Sequence, residues 1–190
     1  MSVAMEDGSR RHRITFDEYL RMGEEGLIAP DARTELIEGE IIEMPPVGLP
    51  HAIVVNRLNR RLIGAVGERA IVQCQGPVRL GDYNDPQPDF AVFASRVDSF
   101  QHGRPTAADV HLLIEVSDTS LRYDIRTKKK LYARYGVVEF WVVDVGDARL
   151  HVFRNPEGED YEESRELSSP GLVAIRALDG VEIDMSRLFE

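Results

Sequence analysis

The chain has 190 residues, 43% hydrophobic and 29% charged, and a domain of roughly 150 residues already buries about 70% of its unfolded surface, so one real core forms without staples. The single cysteine, Cys74, excludes an intrachain disulfide and a cysteine-based zinc cluster. With 33 acidic against 23 basic residues the net charge is −10, which disfavours broad phosphate neutralisation as a way of holding nucleic acid and leaves room for a local basic patch or a metal-filled acidic site.

No apolar run reaches the roughly 18 residues needed to span a bilayer. Residues 1–13 are polar and lack the apolar core of a signal peptide. The expectation is a cytoplasmic protein without a membrane segment, with a disordered lead-in over residues 1–13 and a single domain over residues 14–190.

Thr15 is positioned to N-cap a short helix, with Glu18 as its capping-box partner and Gly23 and Gly26 at its end. Residues 35–44 read as a hairpin turning at Glu38-Gly39 and stopped by Pro45 and Pro46. Val54, Leu58, Leu62 and Ala65/Val66 recur at helical spacing within a first long helix over residues 51–67. Strands are expected over residues 70–75, 78–80, 89–93 and 110–116, with a polar loop over 98–108. A second long helix is expected over residues 124–135, closed by Gly136. Residues 138–145 form a nearly continuous apolar strand, and residues 150–154 alternate as an outer strand. Short antiparallel strands and a helical turn at 185–189 complete the chain. This order predicts an α/β domain, a mixed sheet with helices packed on it.

Three residues break their local patterns. Asp89 follows Pro88 and opens an apolar strand, and Glu115 interrupts Leu112-Leu113-Ile114-Glu115-Val116. The third is Lys128. With Asp124 at zero and about 100° per residue, Leu131 falls at about −20°, Tyr135 at about 20°, Tyr132 at about 80° and Ile125 at about 100°. Lys128 falls at about 40°, inside that apolar stripe, whereas Lys129 at about 140° lies at its edge and Lys130 at about 240° lies outside it. An inward lysine is costly unless it meets a carboxylate or reaches water. Asp89 and Glu115 as oxygen ligands of a hard divalent ion, with Lys128 beside them, suit phosphodiester hydrolysis. The bland alternatives are a structural ion pair, a turn-forming Asp89 and a Lys128 that snorkels along the stripe. Arg122, Arg126, Lys129, Lys130 and Arg134 form a basic face, read first as solvated. Asp118, Thr119 and Ser120 read as helix caps, and Trp141 and Tyr132 as core aromatics.

The stretch Ile114-Glu115-Val116-Ser117-Asp118-Thr119-Ser120-Leu121-Arg122-Tyr123-Asp124, then Lys128, Tyr132-Ala133-Arg134-Tyr135-Gly136-Val137 and Glu139-Phe140-Trp141-Val142-Val143-Asp144, closely resembles the Uma-two family. Upstream, Glu35-Leu36-Ile37-Glu38-Gly39-Glu40, Met44-Pro45-Pro46 followed by His51, and Pro88-Asp89-Phe90 match as well. The family belongs to the restriction-endonuclease-like, PD-(D/E)xK superfamily. The resemblance implies that fold, with an extra N-terminal hairpin and C-terminal strands. It implies Asp89 and Glu115 as metal ligands for Mg²⁺ or Mn²⁺. Ser117 stands where the parent motif has its lysine, and Lys128 on the following helix is the matching position. Glu35 and His51 match recurrent family positions as auxiliary candidates.

The resulting expectation is a metal-dependent endonuclease acting on DNA, with a non-catalytic binding module of the same fold as the rival. A homodimer is expected from the two-fold symmetry of a duplex, with residues 150–154 among the possible pairing edges. The carboxylates of Asp89 and Glu115 are expected close enough to share one cation.

Overall fold

The structure, a computed structural model, describes residues 11–96, 100–101 and 103–190. The first ten residues of the expected lead-in, and residues 98, 99 and 102 of the expected loop, lie outside the described residues.

Helix α1 (Phe16–Glu24) starts at Thr15, whose hydroxyl accepts from the Glu18 N–H while the Glu18 carboxylate takes the Thr15 N–H, the reciprocal box expected from the sequence. Strands β1 (Thr34–Ile37) and β2 (Glu40–Glu43) pair antiparallel. Glu38 and Gly39 join them with φ of 53° and 81°, the two positive values that a tight hairpin turn requires. Helix α2 (Leu49–Val66) begins two residues earlier than expected, because Pro50 fits its first turn. Val54, Val55, Leu58, Leu62 and Val66 are its buried face.

One six-stranded sheet follows, in the order β3 (Ala70–Cys74), β4 (Phe90–Ala94), β5 (Val110–Ser117), β6 (Glu139–Asp144), β7 (Arg149–Glu157), β8 (Asp160–Leu167). Only β5 and β6 run parallel. Their crossover carries one continuous helical stretch, in which α3 (Leu121–Tyr123), a π turn (Asp124–Lys128) and α4 (Lys129–Arg134) run on from one another. A short hairpin of β9 (Leu172–Ala174) and β10 (Glu182–Asp184) closes the chain.

The sheet is covered on both faces. Phe90, Val92, Leu112, Ile114, Val116, Trp141 and Val143 pack against α2 and the C-terminal hairpin. Ala91, Phe93, Leu113, Phe140, Val142 and Phe153 pack against Leu131, Tyr132 and Ala133 of α4. Strand alternation therefore carries Glu115 and Ser117, in step with Leu113, onto the face covered by the crossover helix.

Several expectations are corrected. Residues 78–80 make one isolated bridge, Arg79 with Thr106, and no strand, because the Val78 and Leu80 N–H groups turn back to Pro86 and Asn84. Residues 150–154 are not an edge, since β8 pairs along β7 and takes the outer position. Residues 185–189 form a turn and not a helix: Arg187 has φ of 53°, which a right-handed helix does not admit. The second helix starts at Leu121, not at 124. Ser120 does not cap it through its side chain; its hydroxyl donates to the Asp124 carboxylate instead.

Candidate active site

Asp89 immediately precedes β4. The register pairs Phe90 with Ile114, so the next step of the ladder sets Asp89 opposite Glu115. Asp89 Oδ2 accepts the Val116 N–H at 2.8 Å and meets His51 Nε2 at 3.1 Å, and Oδ1 accepts Gln75 Nε2 at 3.2 Å. His51 reaches it from the first turn of α2. Its Nδ1 is buried and has no hydrogen-bond partner among the described residues. The bond to Asp89 raises the imidazole pKa above its ordinary value, against the opposing effect of burial.

Glu115, buried mid-strand, accepts Lys128 Nζ at 3.0 Å and the Tyr132 hydroxyl at 2.7 Å, both on Oε1. Lys128 Nζ also lies 3.1 Å from Glu35 Oε2, which accepts the Gln87 N–H as well. Asp124, one π turn before Lys128, is buried and accepts the hydroxyls of Ser117 at 2.7 Å and Ser120 at 2.6 Å. Lys128 is 4% exposed, Lys129 half-buried and Lys130 exposed. Of three adjacent lysines, only the first enters the cluster.

Four buried carboxylates, Glu35, Asp89, Glu115 and Asp124, thus line one cavity with a single buried ammonium, which pairs with Glu35 and Glu115. Burial pushes the Glu115 carboxyl well above the usual range, and the neighbouring Asp124, Asp89 and Glu35 add to it against Lys128. For Lys128 burial alone would lower the pKa, but Glu115 and Glu35 outweigh it and keep the ammonium charged. The contrast with Glu139 is instructive. That carboxylate is fully buried too, yet it is compensated by Arg154, the Trp141 indole N–H and the Arg176 N–H. The cluster at Glu115 keeps a surplus of negative charge, and it opens on a cavity of about 410 Å³ lined by Glu35, His51, Asp89, Glu115, Asp124 and Lys128 among others.

A surplus of oxygen ligands beside a cavity is the donor chemistry of a hard divalent cation. Among the described residues no group of three or more His, Cys, Asp or Glu side chains is arranged to hold a metal ion. Mg²⁺ is commonly held by one or two carboxylates, with water and substrate oxygens completing its shell. Every bond to Glu115 falls on Oε1, whereas both oxygens of Asp89 already accept hydrogen bonds, Oδ1 from Gln75 and Oδ2 from Val116 and His51.

Sequence reasoning singled out Asp89, Glu115, Lys128, Glu35 and His51, and the fold gathers all five around this cavity. It passed over Asp124 and Tyr132. Asp124 sat at the origin of the helical wheel, inside the apolar stripe, where a carboxylate is as anomalous as a lysine. Tyr132 was read as core aromatic. The polar signal was its hydroxyl, which a buried position obliges to find an acceptor.

A mixed sheet with helices on both faces, Asp89 opposite Glu115 on neighbouring segments of that sheet, and a lysine from the crossover helix on Glu115 define a restriction-endonuclease-like α/β domain. The chain belongs to the Uma2 family: the family model, described as "Putative restriction endonuclease", matches residues 16–186. A crystal structure from Anabaena variabilis ATCC 29413, described as "a putative nuclease belonging to DUF820", superposes with a TM-score of 0.72 at 21% identity, covering 93% of this chain and 97% of that one. At that identity the likeness speaks for the fold. No curated protein sequence matches this one. Among the described residues no helix is long and apolar enough to cross a membrane.

Proposed function

We propose that this protein is a metal-dependent endonuclease that hydrolyses phosphodiester bonds in DNA. The observation that carries the reading is the Lys128 ammonium, held between Glu35 and Glu115 in the acid-rich wall of the cavity that Asp89 also lines. Asp89 and Glu115 would hold Mg²⁺ or Mn²⁺. Such an ion, when bound, polarises a phosphoryl oxygen and lowers the pKa of a coordinated water. Lys128 keeps its proton and offers N–H donors to the attacking water or to charge developing on the phosphoryl oxygens. Tyr132 and Lys128 together load one oxygen of Glu115 and leave the other for the cavity. His51 and the Val116 N–H fix the rotamer of Asp89. A second copy would supply the second cut in a duplex.

The test is cleavage of supercoiled plasmid DNA with Mg²⁺, with Mn²⁺ and with chelator, by the wild-type protein and by Asp89→Ala. Metal-dependent nicking or linearisation lost in Asp89→Ala is the expected result. No cleavage by the wild type, or equal cleavage by the variant, would refute the reading and favour the non-catalytic module. Light scattering at micromolar concentration decides the dimer.

A further inference from the structure

One cleft outside the cluster is lined chiefly by arginine, in a chain whose net charge is −10. Asn56, Arg57, Arg60 and Arg61 of α2 face Arg187 and Glu190 of the C-terminal segment across it. We propose that this cleft is a phosphate-binding site that seats the sugar–phosphate backbone of a nucleic acid. The proposal rests on the nuclease reading above and locates where the substrate is held.

The partners of these arginines carry the argument. Arg57 donates to the Leu188 carbonyl at 3.1 Å, and Arg61 donates to the carbonyls of Asp184 and Ser186. Carbonyls are neutral acceptors, so they pin a guanidinium without cancelling its charge. Arg60 is exposed and pairs with no carboxylate among the described residues. Several basic residues elsewhere are spent on acids, although Arg33 and Arg69 also donate to carbonyls. Lys129 meets Asp160 at 2.7 Å, Arg134 meets Glu38 and Glu159, and Arg149 meets Glu166. On the basic face of the crossover helix, Lys129 and Arg134 are neutralised in this way, whereas Arg122, Arg126 and Lys130 are exposed.

Two acids border the cleft. Glu190 lies 3.8 Å from Arg187, both exposed. Asp184 turns its carboxylate to the Ser186 N–H and hydroxyl, and Arg61 and Arg187 help keep its pKa low. Four arginines against two acids leave a local surplus of positive charge. The arginines at 57, 60 and 61 occupy one flank of the helix at i, i+3 and i+4.

The cleft and the cluster share a helix but not a flank: at about 100° per residue Arg57, Arg60 and Arg61 stand about 120°, 180° and 80° around the axis of α2 from His51, so a strand that reaches both must wrap the helix. His51, which bonds Asp89, lies on the same helix. At 1.5 Å per residue, Arg57 is about 9 Å and Arg60 about 14 Å further along the axis. Phosphates recur at about 3.4 Å of rise per strand, so a few nucleotides bridge that distance.

The experiment is fluorescence anisotropy of a labelled 20-base-pair duplex with the full chain, in chelator to prevent cleavage, across a salt series. Arg60→Glu should weaken binding by about ten-fold at low salt and reduce the slope of log affinity against log salt by about 1. Lys130→Glu makes the same charge change on an exposed position of α4 and should leave the slope unchanged. Equal affinity and slope for Arg60→Glu and wild type, an equal loss in Lys130→Glu, or no binding by the wild type would each overturn the site. Hydrolysis of bis(p-nitrophenyl) phosphate with Mn²⁺, compared between wild type and Asp89→Ala, is scored separately. Its failure beside Arg60-dependent binding would refute the nuclease reading alone; intact hydrolysis beside Arg60-independent binding would refute the cleft alone.

Discussion

Lys128 Nζ stands 3.1 Å from Glu35 Oε2, and the two side chains are only 5% and 1% exposed. The N-terminal hairpin is thus tied to the crossover helix by a buried ion pair, and the same ammonium serves Glu115. Removing one partner of such a pair leaves an uncompensated buried charge and costs about 3–5 kcal/mol. Lys128→Met should therefore lower the unfolding free energy in urea by about that amount. Glu35→Gln in the same chain should recover part of it, with a coupling energy above about 1 kcal/mol. Strictly additive single and double variants would show that the pair carries no energetic weight.

Tyr132 is the second donor to Glu115 Oε1, at 2.7 Å, while its ring meets Phe140 edge-on with centroids 4.9 Å apart. Tyr132→Phe keeps the ring contact and removes only the hydroxyl. The lost donor should cost about 1–3 kcal/mol of stability. If the hydroxyl orients Glu115 toward a metal, half-maximal activation should need about 10–100-fold more Mg²⁺, with a smaller change in turnover at saturation. Titrations of activity against Mg²⁺ that superimpose for variant and wild type would reduce Tyr132 to packing.

The legible parts of this molecule were those written in local pattern. The Thr15–Glu18 box, the Glu38-Gly39 turn and the apolar stripe of α2 depend on neighbours in sequence, and they stand as read. Lys128 was legible for the same reason, as a charge inside an apolar stripe. The burial of Glu35 was not, because it comes from the hairpin docking on a helix far along the chain. The π turn was not legible either. It adds a residue to the turn that carries Asp124 and Lys128, and Asp124 is held there by hydroxyls from Ser117 and Ser120. Short apolar runs misled where loop bonds replaced a ladder, as at Val78 and Leu80. The edge position of residues 150–154 failed because a further strand, β8, with a polar and charged outer pattern, pairs beyond it.

Metal linkage gives a test independent of any substrate. Asp89 and Glu115 sit with Glu35 and Asp124 in a surplus of negative charge that a divalent ion would offset. An ion that binds only the folded state stabilises it by about 2.7 kcal/mol at a hundred times its dissociation constant. For a chain of this size each kcal/mol raises the melting temperature by about 2–4 °C. Mg²⁺ and Mn²⁺ should both raise it, and the gain should vanish in Asp89→Ala. Equal shifts in wild type and variant would place the ion elsewhere.

Among the three adjacent lysines, only the first should matter for chemistry. Lys129 is committed to Asp160 of β8 at 2.7 Å and lies 5.2 Å from the centroid of the Phe153 ring of β7, over the outer strands of the sheet and away from the cavity. That pair is half-exposed and worth at most about 1 kcal/mol, so Lys129→Met should fold and cleave much as wild type does. Lys130 is exposed, and Lys130→Met should cleave much as wild type does. Lys128 differs because its proton lies at the cavity. Loss of one donor to developing charge typically costs about 10²–10³-fold in turnover. Since Lys128→Met also strands two buried carboxylates, its activity is best read in the Glu35→Gln background, which removes one charge of each sign together. Circular dichroism establishes that each variant is folded, and single-turnover cleavage under saturating metal compares Glu35→Gln with Glu35→Gln/Lys128→Met. A drop of about two to three orders of magnitude between those two makes Lys128 a participant in the reaction. Equal rates would make it a structural counter-ion, and the mechanism would have to be rebuilt on Asp89 and His51.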